Sequence, residues 1–258
     1  MRSPTDPHAG ALGPDAAPAA SPDRAPTLRD YHALNKGGGL FSEATGQWVG
    51  AVLAAAAYRR GLPPTVLTVA NFVVGLVTTV TVTATAPAVA DGRLPGWPVG
   101  LVALLGWQLA YAFDCADGQL ARATGQTSPA GARVDILCDA ALQIGLVTAM
   151  STVAVAHRPG TAAWLVAAFA GTWMVNLVTS ALQQGPAAAS MVPSRSLPVR
   201  VVKLIRDPGL LFFVAGLVVL VAPAAAVWFV GVFTAVNGGF LLASVAFAAR
   251  AALRTRVG

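Results

Sequence analysis

The chain has 258 residues, of which 55% are hydrophobic and only 11% are charged, and its 17 basic and 11 acidic side chains give a formal net charge of +6. An average soluble domain carries about 25% charged residues, so this composition argues against a soluble enzyme, and its high apolar content excludes a fully disordered chain. The basic residues are too few for a nucleic-acid binder, and we expect no nucleic-acid partner. The class that remains is an integral membrane protein with most of its chain in lipid.

Two segments precede the first long apolar stretch. Residues 1–38 contain six prolines and no apolar run, which predicts a disordered cytoplasmic tail. Residues 39–62 predict a helix capped by Ser42, with Trp48 and Val52 on one apolar face. This helix is too short to span a bilayer comfortably, and we expect it to lie in the membrane interface. Packing on the helical bundle as an ordinary surface helix is the alternative.

The rest of the chain, residues 63–258, predicts an all-α polytopic membrane domain. Apolar stretches of spanning length, about 20 residues each, follow one another there. Six such stretches are predicted, near residues 64–88, 98–122, 130–156, 161–182, 208–222 and 224–249. An even number of spans places both termini on the same side of the membrane.

The basic residues predict the orientation of these spans. Fifteen of the 17 fall on one side of the layout, whereas only Arg93 and Arg158 fall on the other. Lys and Arg are concentrated in cytoplasmic loops. We therefore expect both termini and the loops 123–129 and 183–207 to be cytoplasmic.

Four aspartates lie inside the predicted second and third spans. Asp114 and Asp117 are three residues apart, and Asp135 and Asp139 are four apart, so each pair shares one helix face. The two spans run antiparallel around a short loop near residue 126, which predicts that Asp117 matches Asp135 in depth and Asp114 matches Asp139. Ionisable residues are costly in a bilayer, and this cluster is therefore a candidate functional site on the cytoplasmic side.

The chemistry of the cluster suggests a metal ion. Four neighbouring carboxylates repel one another unless cations neutralise them. An all-oxygen set of this charge favours a hard divalent cation: Mg²⁺, Mn²⁺ or Ca²⁺. Arg122 lies on the cytoplasmic side of the cluster, and its guanidinium suits a phosphate group. Acids, a divalent ion and a guanidinium together indicate phosphoryl transfer.

The spacing of this region fits the pattern D-x2-D-G-x2-A-R-x8-G-x3-D-x3-D. The matching residues are Asp114, Asp117, Gly118, Ala121, Arg122, Gly131, Asp135 and Asp139. In this the chain resembles the CDP-alcohol phosphatidyltransferase family, and its six-span layout is similar to that family across residues 63–258. Residues 62–68 resemble the family's entry to the first span. Thr65 stands there where many members have Asn, while Thr68 matches.

The resemblance implies a reaction in which the hydroxyl of an acceptor alcohol attacks a phosphorus of a CDP-alcohol and CMP leaves. It implies one or two Mg²⁺ or Mn²⁺ ions as cofactors, and it implies that Asp139 is also the general base. The metal ligands implied are Asp114, Asp117, Asp135 and Asp139. The CDP-binding residues implied are Thr68, Gly118, Ala121, Arg122 and Gly131, with Gly131 also keeping the two helices close.

We expect CDP-diacylglycerol as the donor, since a lipid donor can enter sideways from the bilayer, and therefore a role in phospholipid biosynthesis. Inositol phosphate and glycerol 3-phosphate are the main acceptor candidates. Candidate residues for binding such an anionic acceptor are Arg133, Arg195, Arg200 and Lys203. Topology and attraction to anionic lipid explain these basic residues equally well. The resemblance also implies a homodimer.

A hypothesis from another class is a divalent-cation transporter that uses the same acids. Transport predicts acids distributed along a path and repeated, broken helices. In this chain the acids cluster near one face of the membrane, which favours the transferase.

Overall fold

The computed structural model describes residues 25–35, 39–182 and 207–254. Every regular element in these ranges is a helix, as the all-α prediction requires. Three short helices come first: α1 (Leu28–Ala33), α2 (Leu40–Ala44) and α3 (Gly46–Arg59). The longer helices are α4 (Pro64–Ala90), α5 (Gly96–Thr124), α6 (Pro129–His157), α7 (Ala163–Leu182), α8 (Pro208–Val221) and α9 (Ala226–Arg254), with a 3₁₀ turn at Pro223–Ala225.

The ends of the helices that carry the acids follow from local sequence. α5 ends at Gly125, whose φ of +66° is the left-handed conformation that glycine adopts readily at a helix C-terminus. α6 begins at once, because the Ser128 side chain accepts the backbone N–H of Gly131 and Pro129 occupies the first helical turn. Residues 125–128 therefore connect α5 to α6, at the position predicted for the loop.

Four helical segments of the described chain are long and apolar enough to cross a bilayer. They are Pro64–Ala90, Gly96–Thr124, Pro129–His157 and Pro223–Ala243. The predicted fourth and fifth spans correspond to α7 and α8, whose described apolar stretches, Ala163–Val175 and Pro208–Val221, are shorter. The structure thus contains four candidate membrane spans by length and composition, while a total of six spans stays a prediction.

Helix α5 lies at the centre of the packing. It packs against α3, α4 and α8, while α6 packs mainly against α4, and α7 pairs with α9. The contact between α5 and α8 depends on reciprocal glycines. A side chain at Gly100 would approach the Cα of Leu220 to 2.3 Å, and one at Gly216 would approach the Cα of Leu104 to 2.5 Å. Small residues of this kind let membrane helices approach closely.

The N-terminal part differs from the sequence prediction. Residues 28–33 belong to the predicted disordered tail but form α1, and Tyr31 is fully buried in a cluster with Ala51 and Leu120. The capping prediction for Ser42 is wrong, because α2 starts after Gly39 and Ser42 lies inside it. The rest of the predicted tail, residues 1–24 and 36–38, is outside the described residues.

Helix α3 has two different faces. Small residues pack against α5, and a side chain at Gly50 would approach the Cβ of Cys115 to 2.8 Å. The larger apolar side chains Trp48, Val49 and Val52 are exposed. The helix therefore packs on the bundle and turns an apolar face outward. Its position in a membrane interface stays a prediction.

Candidate active site

Three of the four aspartates converge. Asp114 on α5 and Asp135 and Asp139 on α6 each place a carboxylate oxygen within 4.8 Å of the others. α5 and α6 are not closely packed against each other, whereas α4 packs against both. The acids therefore face one another across a gap that α4 closes on one side. The predicted proximity of Asp114 to Asp139 agrees with this arrangement.

Asp117, which also lies on α5, lines the same cavity. It is 6% exposed, and its Oδ2 accepts a hydrogen bond of 2.6 Å from Thr68 Oγ1 on α4. The sequence-based role of Thr68 was contact with the nucleotide. That role stays a prediction; in the structure the hydroxyl of Thr68 donates to the Asp117 carboxylate, so Thr68 orients Asp117.

The gap forms a cavity of about 370 Å³, which falls in the range of small-molecule sites. All four aspartates line it, together with polar side chains from four helices. These include Gln47, Asn71, Tyr111, Arg122 and Gln143, and Asn35 lies at the end of α1. Gln143 also bonds to a neighbouring helix, because its Oε1 accepts a hydrogen bond from the indole N–H of Trp173 at 3.1 Å.

Arg122 is held in place by the segment that follows α1. Its Nε donates to the carbonyl oxygen of Leu34 at 2.5 Å, and its Nη2 lies 3.4 Å from Oδ1 of Asn35. The guanidinium folds over Gly118, where a Cβ atom would meet Arg122 Nη2 at 2.8 Å. Gly118 therefore leaves the room that this arginine conformation needs, and the guanidinium faces the cavity.

A buried hydrogen-bond network starts from Tyr111, which lines the cavity. Tyr111 Oη donates to Ser42 Oγ at 2.6 Å, and the Ser42 hydroxyl donates to Oδ1 of Asp207. Asp207 is 1% exposed and also accepts the backbone N–H groups of Ser42 and Gly209, each at 3.0 Å. The network ties α2 and α8 to α5. Its one sequence signal was an acidic residue directly before Pro208, which is typical of a helix N-terminus.

The other predicted site residues take different positions. Ala121 is half-buried and lies outside the cavity lining, and Arg133 is exposed on α6. The prediction that Gly131 keeps two helices close is wrong, since a Cβ there would meet only Ser128 Oγ of its own cap, at 3.1 Å. Its role in binding CDP stays a prediction. Arg195, Arg200 and Lys203 lie outside the described residues.

The residues present fit a divalent cation. Three carboxylates converge, a fourth lines the same cavity, and the buried Oδ1 of Asp135 has no hydrogen-bond partner among the described residues. Buried polar atoms are normally paired, and an unpaired carboxylate oxygen is a natural ligand for a hard cation. The ligand set is all oxygen, which suits Mg²⁺ or Mn²⁺ and does not distinguish between them.

Apolar helices long enough to span a membrane surround a carboxylate-lined cavity, and this combination indicates an integral membrane protein with a buried polar site. Residues 61–249 match the model of the CDP-alcohol phosphatidyltransferase family, and the chain belongs to this family. Its members are transferases of substituted phosphate groups that use CDP-alcohol donors and alcohol acceptors. A search of curated proteins gave no match.

Proposed function

We propose that the chain transfers a phosphatidyl group from CDP-diacylglycerol to a small hydroxyl acceptor and releases CMP. One observation carries the proposal: the aspartates of the family pattern and its arginine line one cavity, with three carboxylates converging within 4.8 Å. The apolar helices around the cavity support a lipid donor, since its acyl chains require an apolar surrounding.

In the proposed mechanism Asp139 accepts the proton of the acceptor hydroxyl. The acceptor oxygen then forms a bond to the phosphorus next to the lipid, and the bond from that phosphorus to the CMP oxygen breaks. Asp114, Asp117 and Asp135, with Asp139 as a shared neighbour, would hold one or two Mg²⁺ or Mn²⁺ ions, which supply positive charge to the diphosphate and to leaving CMP. The Arg122 guanidinium, oriented by Leu34, adds a donor for the nucleotide phosphate.

The transporter hypothesis gains no support. All four acids line one cavity rather than a path through the described helices, and the matching family consists of transferases. We also propose a cytoplasmic site, cytoplasmic termini and a homodimer, which follow from the basic residues and the family resemblance.

The test is CMP release by the purified protein in mixed micelles of detergent and CDP-diacylglycerol. A panel of acceptors, including glycerol 3-phosphate, inositol 1-phosphate and serine, is read out by mass spectrometry of the lipid product. We expect CMP release that needs Mg²⁺ or Mn²⁺ and stops with EDTA. Asp139→Asn is expected to lower the rate at least about 100-fold, the usual contribution of a general base.

Asp91→Asn is the matched control. Asp91 lies in the connection after α4, its side chain is 60% exposed, and its ion pair is with Arg93. It should retain the wild-type rate. Absence of CMP release from every donor and acceptor, or full activity in Asp139→Asn, would contradict the proposed function.

A further inference from the structure

Asn71 has a buried side-chain amide for which the described part of the chain provides no hydrogen-bond partner. The residue is 1% exposed, and neither Oδ1 nor Nδ2 has a hydrogen-bond partner among the described residues. Leaving such groups unpaired costs about 1–3 kcal/mol each, so native proteins rarely do so without a reason. An amide that is buried and unpaired in the protein alone is therefore a candidate for pairing with a ligand.

The position of Asn71 places this amide in the active-site cavity. It follows Thr68 by three residues on α4, so both side chains lie on the helix face turned toward the acids. Asn71 lines the cavity with Asp114 and Asp139, and its amide lies beside the Asp139 carboxylate without forming a hydrogen bond of acceptable geometry. The hydroxyl of Thr68 is engaged with Asp117, so at this level of α4 the amide of Asn71 is what remains to contact a ligand.

The chemistry of the amide restricts the ligand. It is uncharged and presents an acceptor, Oδ1, next to a donor, Nδ2. This pair complements two neighbouring hydroxyl groups, one of which donates while the other accepts. A divalent cation would use only Oδ1 and would leave the donor unpaired. A phosphate would use only Nδ2.

We infer that Asn71 binds the acceptor alcohol, and that this acceptor is a small polyol or a phosphate ester of one. The inference rests on the proposed function, because it assigns the acceptor side of the same cavity. Asn71 Oδ1 accepts from the hydroxyl next to the attacking one and Nδ2 donates to the attacking oxygen, while Asp139 beside it takes the proton. The attacking oxygen is thereby fixed toward the donor phosphorus.

The experiment compares two acceptors that differ by one hydroxyl: glycerol 3-phosphate and 3-hydroxypropyl phosphate, which lacks the hydroxyl next to the attacking one. Inositol 1-phosphate is assayed in parallel. With the wild type we expect kcat/KM for glycerol 3-phosphate to exceed that for the deoxy acceptor at least tenfold. In Asn71→Leu the acceptor KM should rise about tenfold or more, and the preference between the two acceptors should fall below threefold.

Two further readouts separate binding from a structural role. Asn71→Leu should change the KM for CDP-diacylglycerol and the Mg²⁺ concentration for half-maximal rate by less than twofold. Its thermal unfolding temperature in detergent should be equal to or above that of the wild type, because an unpaired buried amide is replaced by an apolar side chain of similar size. Thr81→Val, on the same helix and outside the cavity lining, serves as the control for α4.

Several outcomes would overturn the inference. One is that Asn71→Leu keeps the wild-type preference for the acceptor with the vicinal hydroxyl. Another is that the Mg²⁺ requirement of Asn71→Leu rises while its acceptor KM does not. Turnover with serine but with neither polyol phosphate would refute the polyol assignment and leave the proposed function standing. Absence of CMP release with every acceptor would instead refute the proposed function itself.

Discussion

Thr68 donates its hydroxyl hydrogen to Asp117 over 2.6 Å, and this is the contact that orients the fourth acid of the cavity. A hydrogen bond to an ionised carboxylate contributes about 1.5–3 kcal/mol. Thr68→Val keeps the shape of the side chain and removes the donor, so we expect kcat/KM to fall roughly 10- to 100-fold. The Mg²⁺ concentration for half-maximal rate should rise as well, which a titration of CMP release against Mg²⁺ measures.

Thr81→Val is the matched variant, because the Thr81 hydroxyl donates only to the carbonyl oxygen of Val77 in its own helix, at 2.8 Å. Thr81→Val should leave both kcat/KM and the Mg²⁺ concentration for half-maximal rate unchanged. A Thr68→Val enzyme in which only the donor KM rises would instead show that Thr68 contacts CDP directly.

The aspartate cluster was predictable from sequence for two reasons: the spacing of the four residues, and the free-energy cost of a carboxylate in an apolar span. Three- and four-residue separations fix a helix face, and a carboxylate in an apolar span demands a function. The same reasoning cannot find Asn71, since an amide in a span is commonly paired with another helix, and only the structure reveals that it is unpaired. The failed expectation for Gly131 has a similar origin: a glycine's role depends on its neighbours, and here its backbone N–H serves the Ser128 cap.

Helix α1 is the element that brings a backbone acceptor to Arg122. A capping box starts it, in which Thr27 Oγ1 accepts the Asp30 N–H and Asp30 Oδ2 accepts the Thr27 N–H at 2.7 Å. Tyr31 anchors it in the core cluster against α3 and α5. Leu34 then presents its carbonyl oxygen to Arg122.

Deleting residues 2–35 removes this acceptor, whereas deleting residues 2–24 keeps α1. We expect the longer deletion to lower kcat/KM for CDP-diacylglycerol about tenfold or more, because Arg122 loses a charge-assisted hydrogen bond that orients it. The shorter deletion should stay within twofold of the full chain. Equal rates for the two variants, or a faster enzyme without α1, would contradict a positioning role. The two deletion variants and the full chain are compared by measuring CMP release at a series of donor concentrations.

Helix α1 was not predicted from the sequence because of the composition around it. Prolines crowd residues 1–26, and an average over residues 1–38 favours disorder although residues 27–33 carry a helix cap and a buried tyrosine. The long helices were easier to predict, since apolar length alone identifies them, and the structure places α4, α5 and α6 within a few residues of their predicted bounds. The family match begins at residue 61, so α1 lies outside it.

At the scale of the whole molecule, the scarcity of charge makes the position of each basic residue informative. Fifteen of the 17 fall on one side of the six-span layout. The structure supports the first part of this layout, because α4, α5 and α6 follow one another with short connections at 91–95 and 125–128. The 29 residues of α5 rise about 43 Å, enough to place these two connections on opposite sides of a bilayer.

We therefore expect the α5–α6 connection to face the cytoplasm and the α4–α5 connection to face the other side, whatever the number of later spans. The test uses single cysteines at Thr127, which is exposed, and at Leu94, which is 42% exposed, in a background carrying Cys115→Ala and Cys138→Ala. In intact cells a membrane-impermeant maleimide should label Leu94→Cys and leave Thr127→Cys unlabelled. In inside-out vesicles the pattern should reverse, and in detergent both should react. Labelling of Thr127→Cys in intact cells would place the α5–α6 connection outside, and the proposed cytoplasmic position of the site would have to be abandoned.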